Sequence, residues 1–382
     1  MQNYNKNALL IKRCYYSFET ESFLGGNMKK ILSLLLSVLI VLSISGCAQT
    51  EPISQEPEKT RFTKSYLDYF DTASTIVGYE VSQEAFDEKC AFIEAELKHY
   101  HELYDIYNRY DGVTNVCDLN KEAGTAPVAV DEDIIALFEF CKEMYDLTGG
   151  KTNFAMGTVL SIWHRYREDG NFDYFSAEVP PMEMLESAAE HCNIDDVIID
   201  KENSTVFFAD PELKVDVGAI GKGYATERIA LDLEAMGVDN YTLNIGGNIR
   251  TIGNKADGTG WVAGIQNPDL TAEQMYILKV CFGDLALVTS GSYQRYYYVG
   301  ETKYHHIIDP ETLFPKDTFT AVSILTPDSG VADAVSTACF NLSLEDGMAL
   351  IESIENTEAM WVEPDGTIHY SSGFEKFIHN EE

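Results

Sequence analysis

Asp333 and Thr337 lie four residues apart in the segment VADAVSTACFNL, residues 331–342. A spacing of four places two side chains on the same face of a helix. A carboxylate and a hydroxyl placed in this way can offer two hard oxygens to one Mg²⁺ ion. The same spacing also allows the Thr337 hydroxyl to donate to the carbonyl of Asp333, near the start of a helix. Taken alone, the spacing favours this second, purely structural arrangement.

A second segment, DVGAIGKGYA at residues 216–225, carries three glycines within six positions. Asp216 precedes the glycines and Lys222 lies among them. Backbone N–H groups at a glycine-rich helix start can converge on an anion, with the positive end of the helix dipole behind them. The segment is not a Walker A loop, because Gly223 follows the lysine where Ser or Thr is required. A ligand-binding loop and a tight turn are both compatible with these residues.

Two adjacent histidines stand near the start of a third segment, YHHIIDPETLFP at residues 304–315. Neighbouring residues of a strand face opposite sides, so one of the two is expected to point inward. The DPET sequence that follows is typical of a turn. His306 beside this turn can serve as a general base or a ligand contact, and a structural role fits equally well.

Two long helices are predicted upstream of these segments. Apolar residues that recur by four and three predict a helix over residues 82–107, with Ser82 as its N-cap. A second helix is predicted over residues 131–147, before two glycines. The apolar stripe of the first helix comprises Phe86, Cys90, Ile93, Leu97, Tyr100, Tyr104 and Tyr107.

The glycine segment is predicted to join a strand to a helix that ends at Gly237. Residues rich in β-formers predict several strands. These lie at residues 213–217, 241–249, 261–268 and 285–299. The mixed order of helices and strands predicts an α+β fold, with one large domain of layered mixed sheets and packed helices.

The composition restricts the partners of this chain. Its 382 residues are 45% hydrophobic, which is enough for a large core, and its formal net charge is −35. A surface this acidic repels phosphate backbones, so nucleic acid is excluded as a partner. A phosphate-bearing ligand would need a metal cation, a lysine or backbone amides at its binding site.

The N-terminal region has the pattern of a bacterial lipoprotein signal. Lys29 and Lys30 precede an apolar run at residues 31–44, which is short for a membrane-spanning helix. The sequence ISGC ends at Cys47 and resembles a lipobox, so residues 28–46 are predicted to be a signal peptide and Cys47 the lipidated residue. An uncleaved anchor is the alternative interpretation of the apolar run.

The residues on either side of this signal complete the predicted organisation. Residues 1–27 form a polar leader that does not fit a secretory signal, and we interpret them as a mis-assigned upstream extension with Met28 as the true start. Residues 47–60 are predicted to be the lipidated cysteine and a flexible tether, because residues 48–60 are polar and contain two prolines. The globular domain is then predicted over residues 61–382.

The cysteines indicate no zinc site. Six of the eight lie within the predicted domain, and none of these forms a CxxC pair. Three of them lie on apolar faces and are predicted to be buried free thiols. These three are Cys90, Cys141 and Cys339.

Together these segments resemble the ApbE family of FAD:protein FMN transferases. The resemblance rests on six motifs in the family's order, and it extends from about residue 70 to the C-terminus. The motifs are DVGAIGKGYA, NIGGNI, WVAGIQNP, TSGSYQRYY, YHHIIDPETLFP and ADAVSTA.

This resemblance implies an α+β fold and a specific chemistry. Members of the family bind FAD with Mg²⁺ and transfer FMN to a threonine of a target protein, with release of AMP. Many members are lipoproteins on the outer face of the cytoplasmic membrane, which agrees with the signal at Cys47. Known kinds of target include flavin-carrying subunits of ion-pumping respiratory oxidoreductases.

The resemblance also implies roles for individual residues. Asp333 and Thr337 match the family's metal ligands, and the third protein ligand, a backbone carbonyl of the glycine loop, falls on Ala219. Asp216 and Lys222 match contacts to the flavin nucleotide on either side of that carbonyl.

Further contacts to FAD follow from the other motifs. His306 matches the histidine of the family's HxxDP turn. The segment FAMGTVLSIW matches a stretch that runs along FAD, which implies contacts from Ala155, Met156 and Gly157. Tyr107, within YDIYNRY, matches an aromatic contact.

This chain departs from the family pattern in three places, one of which is the length of the turn before Asn120, close to Tyr107. Residues 70–72 read Phe-Asp-Thr where the family often has Met-Gly-Thr, and the family's acidic FDPT stretch is replaced by FAMG at residues 154–157. The departures affect the flavin contacts that are implied there, although a contact made by backbone atoms tolerates a changed side chain.

The implied reaction is a phosphoryl-type displacement. A threonine hydroxyl is a poor nucleophile near neutral pH and needs a base. His306 is the predicted base, with Asp309 and Asp216 as alternatives. Two other functions are compatible with the same residues: a Mg²⁺-dependent FAD pyrophosphatase, in which water replaces threonine, and a non-catalytic flavin-binding lipoprotein.

Overall fold

An eight-stranded sheet forms the centre of the protein, and each pair of neighbouring strands in it is antiparallel. The structure is a computed structural model that describes residues 57–380. In spatial order the strands are β1 (Thr60–Tyr69), β2 (Thr72–Glu80), β6 (Tyr241–Ile245), β7 (Asn248–Ile252), β10 (Ala286–Gly291), β13 (Ala321–Thr326), β14 (Glu358–Val362) and β15 (Ile368–Tyr370).

Three smaller sheets surround the central one. The first has the order β3 (Val128–Ala129), β5 (Thr205–Phe208) and β4 (Val197–Asp200). The other two are two-stranded ribbons. They are β8 (Trp261–Gln266) with β9 (Tyr276–Phe282), and β11 (Tyr296–Val299) with β12 (Thr302–His305).

Eight α-helices complete the described part of the chain. They are α1 (Gln83–Tyr104), α2 (Val116–Lys121), α3 (Glu132–Leu147), α4 (Gly157–Phe172), α5 (Met182–Ala189), α6 (Gly221–Ala235), α7 (Ser329–Asn341) and α8 (Leu344–Ser353). Helices α1, α6 and α7 contact one another in series and pack on strands of the central sheet. A second apolar cluster joins the β8–β9 ribbon to β10, β13 and β14. These layers confirm the predicted α+β class.

The first long helix agrees with its prediction at the start but not at the end. The Ser82 hydroxyl caps it by accepting from the Ala85 N–H at 3.2 Å. The predicted stripe is buried as far as Tyr104. The helix ends there, because Asp105 adopts an extended conformation and its carboxylate accepts from the backbone of the next residues. Tyr107 therefore lies in a loop, 56% exposed, and its predicted place on the stripe is wrong.

The prediction for the second long helix is confirmed almost to the residue. Helix α3 spans Glu132–Leu147, and the Asp131 carboxylate caps it by accepting from the Asp133 N–H at 3.0 Å. Gly149 and Gly150 follow with positive φ angles, a backbone conformation that glycine adopts most readily.

Two of the predicted strands are each divided in two. Residues 241–249 form a hairpin rather than one strand, because Gly246 and Gly247 have φ angles of 60° and 95° and reverse the chain between β6 and β7. Two consecutive residues with positive φ are the signature of a tight hairpin turn. Residues 285–299 form β10 and β11, separated by a turn.

The strand predicted at residues 213–217 is absent. Lys214 makes one isolated parallel bridge with Met156, and the neighbouring backbone bonds run to residues 154 and 157. The segment is apolar because Leu213, Val215 and Val217 are buried in the main core, not because it belongs to a sheet.

The predicted thiols are confirmed: Cys90, Cys141 and Cys339 are buried and free. The proposed extension, signal peptide and lipidated Cys47 lie outside the described residues, as does most of the tether. Strand β1 begins at Thr60, one residue before the predicted domain start. Within residues 57–380, no helix combines the length and apolar character needed to span a membrane.

Candidate active site

Asp333 lies one turn inside α7, where the structure brings it against the glycine loop. The helix is capped by the Asp328 carboxylate, which accepts from the N–H groups of Gly330 and Val331. Asp333 is 5% exposed, and its Oδ2 accepts from the Gly223 N–H at 2.8 Å. The Lys222 ammonium lies 3.9 Å from the same oxygen. Two of the sequence-predicted groups therefore meet in one place.

Gly223 is required here for close packing. A Cβ at this position would lie 2.3 Å from the Ser329 carbonyl oxygen and 2.5 Å from the Asp333 Cβ. Only glycine allows α6 and α7 to approach so closely without displacing backbone. The structure therefore resolves part of the choice between a ligand-binding loop and a tight turn. One of the three glycines, Gly223, is a helix–helix contact that brings the Asp333 carboxylate to the loop.

A buried ion pair below the loop fixes the same two helices. Glu227 of α6 accepts from the Arg250 guanidinium at 3.0 Å and from the Ser329 N–H at 2.8 Å. Both side chains of the pair are less than 10% exposed. Sequence analysis did not identify this pair, since its members are 23 residues apart on different elements.

The oxygens that match the family's metal ligands have no protein donor among the described residues: Asp333 Oδ1, the Thr337 hydroxyl and the Ala219 carbonyl. The N–H four residues after Ala219 belongs to Gly223 and donates to Asp333. Among the described residues the Thr337 hydroxyl makes no bond to the Asp333 carbonyl, and it is the Ser336 hydroxyl that donates to this carbonyl, at 2.9 Å. A carboxylate, a hydroxyl and a carbonyl are the donor set that Mg²⁺ prefers, so these residues fit such an ion.

The segment predicted to run along FAD lies beside the glycine loop. The Asp216 N–H donates to the Phe154 carbonyl at 2.7 Å, and the Gly157 N–H donates to the Lys214 carbonyl at 2.9 Å. Ala155, Met156 and Gly157 are all buried. Their contact with FAD stays a prediction. In this structure the three residues are buried next to the glycine loop.

Tyr107, Asp216 and His306 belong to a second group of polar residues, which includes two arginines that sequence analysis did not single out. The Tyr107 ring lies 5.2 Å from the His164 ring of α4. Burial raises the pKa of Asp216, and the charges of His164, Arg295 and Arg167 oppose that rise. Asp216 therefore lies near the basic residues and also belongs to the glycine loop, whose Gly223 contacts Asp333.

His306 is held as a neutral imidazole with a defined tautomer. Its Nδ1 lies 3.2 Å from the Arg295 carbonyl, which can only accept, so Nδ1 carries the proton and Nε2 has the lone pair. Burial, together with the charges of Arg295, His305 and Arg167, lowers the pKa of His306 to about 3. Nε2 is therefore unprotonated at neutral pH, and it is a weak base as long as the charges of the two arginines are not neutralised.

The adjacent His305 is the inward-pointing histidine, as the alternation predicted. It is 2% exposed. Its Nδ1 accepts from the Ile307 N–H and its Nε2 donates to the Lys316 carbonyl. Both ring nitrogens are therefore committed to structure.

Asp309, an alternative base, is fully buried between two lysines. Its carboxylate accepts from Lys151 at 2.9 Å and pairs with Lys316 at 3.0 Å. Burial alone would raise its pKa, but the two lysines outweigh burial and lower it. A carboxylate held in this way anchors the turn after His306 and is a poor proton acceptor.

The fold and the site together define a class. This is an α+β protein in which a glycine-opened helix contacts a buried carboxylate and lies beside a group of basic residues, an arrangement suited to a phosphate-bearing ligand. The model of the ApbE family matches residues 70–361, and the chain belongs to that family.

Individual relatives agree with this assignment. The FAD:protein FMN transferase of Treponema pallidum is 35% identical over 269 residues, 67% of this chain and 72% of that protein. The enzyme of the same name from Haemophilus influenzae is 26% identical and covers 93% of this chain and 100% of its own length. The crystal structure of the ApbE protein of Thermotoga maritima superposes with a TM-score of 0.72 at 27% identity, over 84% of this chain and 100% of that one.

Proposed function

We propose that this protein is an FAD:protein FMN transferase that depends on Mg²⁺ and attaches FMN to a threonine of an acceptor protein. The proposal is supported by the names of its relatives and, above all, by the contact of Asp333 with the glycine loop through Gly223. That contact holds the Asp333 carboxylate, whose other oxygen has no protein donor among the described residues, at the start of a helix, and a helix N-terminus favours an anion.

The bonds change as follows. The threonine oxygen forms a bond to the FMN phosphorus, and the bond from that phosphorus to the bridging oxygen of the diphosphate breaks, so that AMP leaves with that oxygen. His306 Nε2 takes the hydroxyl proton. A Mg²⁺ held by Asp333, Thr337 and the Ala219 carbonyl would supply charge neutralisation at the diphosphate.

Several residues of the chain have supporting roles in this reaction. Lys222 and the amides of the loop are placed to contact phosphate oxygens, which a protein with a charge of −35 would otherwise repel. Asp309, fixed by Lys151 and Lys316, holds the turn that presents His306.

The direct test is to incubate the protein with FAD, Mg²⁺ and a threonine-containing acceptor, and to measure the acceptor by intact mass. A mass increase equal to one FMN residue supports the proposal. Release of FMN and AMP without an acceptor would indicate a pyrophosphatase, and binding of FAD with neither product would indicate a non-catalytic carrier.

We further propose that Cys47 is lipidated and holds the enzyme at the extracytoplasmic face of the cell membrane, where its acceptor is a flavin-carrying subunit of a respiratory oxidoreductase. The basic n-region, apolar run and ISGC sequence support this location. The test is fractionation: the wild type should sediment with membranes, and Cys47→Ser should not be lipidated. Equal lipid labelling of the two would contradict it.

A further inference from the structure

Arg167 of α4 and Arg295, just before β11, lie on two segments that are in contact with one another. Gly170 packs so closely on the Tyr297 ring that a Cβ on Gly170 would lie 2.6 Å from it. Arg167 precedes Gly170 by three residues and so shares its helix face. Arg295 is exposed in the bend before β11, and the charges of both arginines act on His306 and on Asp216.

Neither arginine forms an ion pair in the part of the chain that the structure describes, and the charge of Asp216 acts on both of them from beyond ion-pair distance. The Arg167 Nη2 donates to His164 Nδ1 at 2.7 Å, and neither guanidinium lies within 4.0 Å of a carboxylate oxygen. The sequence has 62 acidic and 27 basic residues, so acidic partners are abundant. The two guanidinium groups therefore keep N–H donors that a bound anion can use.

The surroundings of the pair identify the kind of anion. The Tyr107 ring lies against His164, the residue that orients Arg167. The backbone carbonyl of Arg295 accepts from both the N–H and the Nδ1 of His306. An exposed aromatic ring, a pair of cations and a candidate base are thus adjacent. This combination fits a planar ring system that carries a phosphate ester, with the phosphorus near the base.

We propose that Arg167 and Arg295 form an anion subsite for the flavin-side phosphate of FAD, the group that is transferred. This inference rests on the proposed function and adds two residues to it. Guanidinium groups bind phosphate oxygens through two parallel hydrogen bonds, and they favour the charge that develops during displacement. The AMP-side phosphate is left to the glycine loop and the metal.

The inference predicts a preference between two flavins that differ only in the phosphate. FMN and riboflavin can be titrated against the protein in EDTA by flavin fluorescence, so that neither a metal nor an acceptor is involved. We expect the wild type to bind FMN at least ~10-fold more tightly than riboflavin, since a charge-assisted pair is typically worth that factor.

Substitutions at the two arginines should remove this preference. Arg167→Gln and Arg295→Gln should each weaken FMN binding ~10-fold and leave riboflavin binding within about twofold of the wild type. Arg295→Lys keeps the charge and should lie between. Arg165→Gln is the matched control, because Arg165 is on the same helix, is exposed and contacts Met184 and Tyr166 instead.

Three outcomes would overturn the inference, and each has a different meaning. Unchanged FMN binding in both glutamine variants, with flavinylation weakened only through a raised KM for the acceptor, would assign the pair to an acidic segment of that protein. An equal loss of both flavins would indicate a packing role. A wild type that shows no preference for FMN over riboflavin would overturn the inference alone, and one that also fails to bind FAD in the presence of Mg²⁺ would overturn the proposed function itself.

Discussion

The backbone N–H of Gly223 donates to the buried carboxylate of Asp333 at 2.8 Å, so the start of α6 and the first turn of α7 are joined at one point. The two residues are 110 positions apart in the chain. This single contact brings the glycine loop and the Asp333 carboxylate into one site. Within residues 57–380 the second oxygen of Asp333 has no protein partner, so an ion can use it.

The first prediction concerns the space at Gly223. Gly223→Ala should destabilise the protein by about 1–3 kcal/mol and abolish most transferase activity, because the new methyl overlaps the Ser329 carbonyl. The measurement is thermal unfolding together with the flavinylation rate. Gly221→Ala is the control, since its nearest neighbour would lie at an ordinary 3.4 Å. Equal behaviour of the two variants would contradict the packing role.

The second prediction separates metal binding from folding. Thr337→Val should leave the unfolding midpoint almost unchanged, because the hydroxyl has no protein partner in the described part of the chain, and should raise the Mg²⁺ concentration needed for half-maximal activity by ~10-fold. Ser336→Ala is the neighbouring control, and it should lower stability because Ser336 bonds Asp333 and Ser290. An unchanged Mg²⁺ requirement in Thr337→Val would remove Thr337 from the ligand set.

A related comparison ranks the two central side chains. Asp333→Ala should reduce activity more than His306→Ala, because it removes a metal ligand and leaves the Gly223 N–H unpaired, whereas loss of a positioned base costs roughly 10²–10⁴-fold. The readout is the single-turnover rate of flavinylation at saturating FAD. Full activity in Asp333→Ala would refute the assignment of the metal site.

The third prediction concerns pH. His306 has a folded-state pKa of about 3, below its ordinary 6.5, so the unfolded chain binds more protons between these values. The resulting contribution is fully present above pH 6.5 and is lost as the pH falls toward 3. His306→Gln should therefore flatten the fall of stability with acid in this window. A slope identical to that of the wild type would show that His306 does not titrate in this way.

The charges around His306 also make a kinetic prediction. Arg295, His305 and Arg167 are the groups whose charges, with burial, lower its pKa. Arg295→Gln should raise that pKa and move the acid limb of kcat/KM, which reports the free enzyme, to higher pH. Arg165→Gln should leave the limb in place. The measurement is the pH profile of kcat/KM for FAD.

The fourth prediction tests the ion pair beneath the loop. Glu227→Gln should cost about 3–5 kcal/mol of the free energy of unfolding, because it weakens a buried partner of Arg250 and of the Ser329 N–H. Glu234→Gln removes a more exposed partner of the same arginine and should cost less than about 1 kcal/mol. Denaturant unfolding measures both. Similar losses in the two variants would contradict the special role of Glu227.

Local signals in the sequence predicted the helices well. Ser82 and Asp131 cap their helices and are of residue types that commonly do so, and the buried stripe of α1 has a regular period. The same approach failed at Gly246 and Gly247, where two positive φ angles create a hairpin inside an apolar run. It also failed at residues 213–217, which are apolar because they are buried and not because they pair in a sheet.

Only those site residues that lie within a family motif could be predicted from the sequence. Asp333, Thr337 and the glycine loop could be assigned from the order of motifs, whereas the contact between Asp333 and Gly223 depends on helix packing. Arg295 stands within the TSGSYQRYY motif, and its place in that motif was the available signal. Arg167 lies in none of the quoted motifs. Its position near Arg295 follows only from the packing of α4 on β11.

The central claim is that a divalent ion binds between Asp333, Thr337 and the Ala219 carbonyl, beside the diphosphate of FAD. The most direct measurement is a crystal structure with FAD and Mn²⁺, which replaces Mg²⁺ and is located by its anomalous signal. We predict one ion about 2.0–2.2 Å from the three oxygens, allowing for the slightly larger Mn²⁺. An ion bound instead at His99, Asp131 and Asp133, whose ligand atoms lie within 4.8 Å of one another, with the Asp333 site empty, would contradict the account.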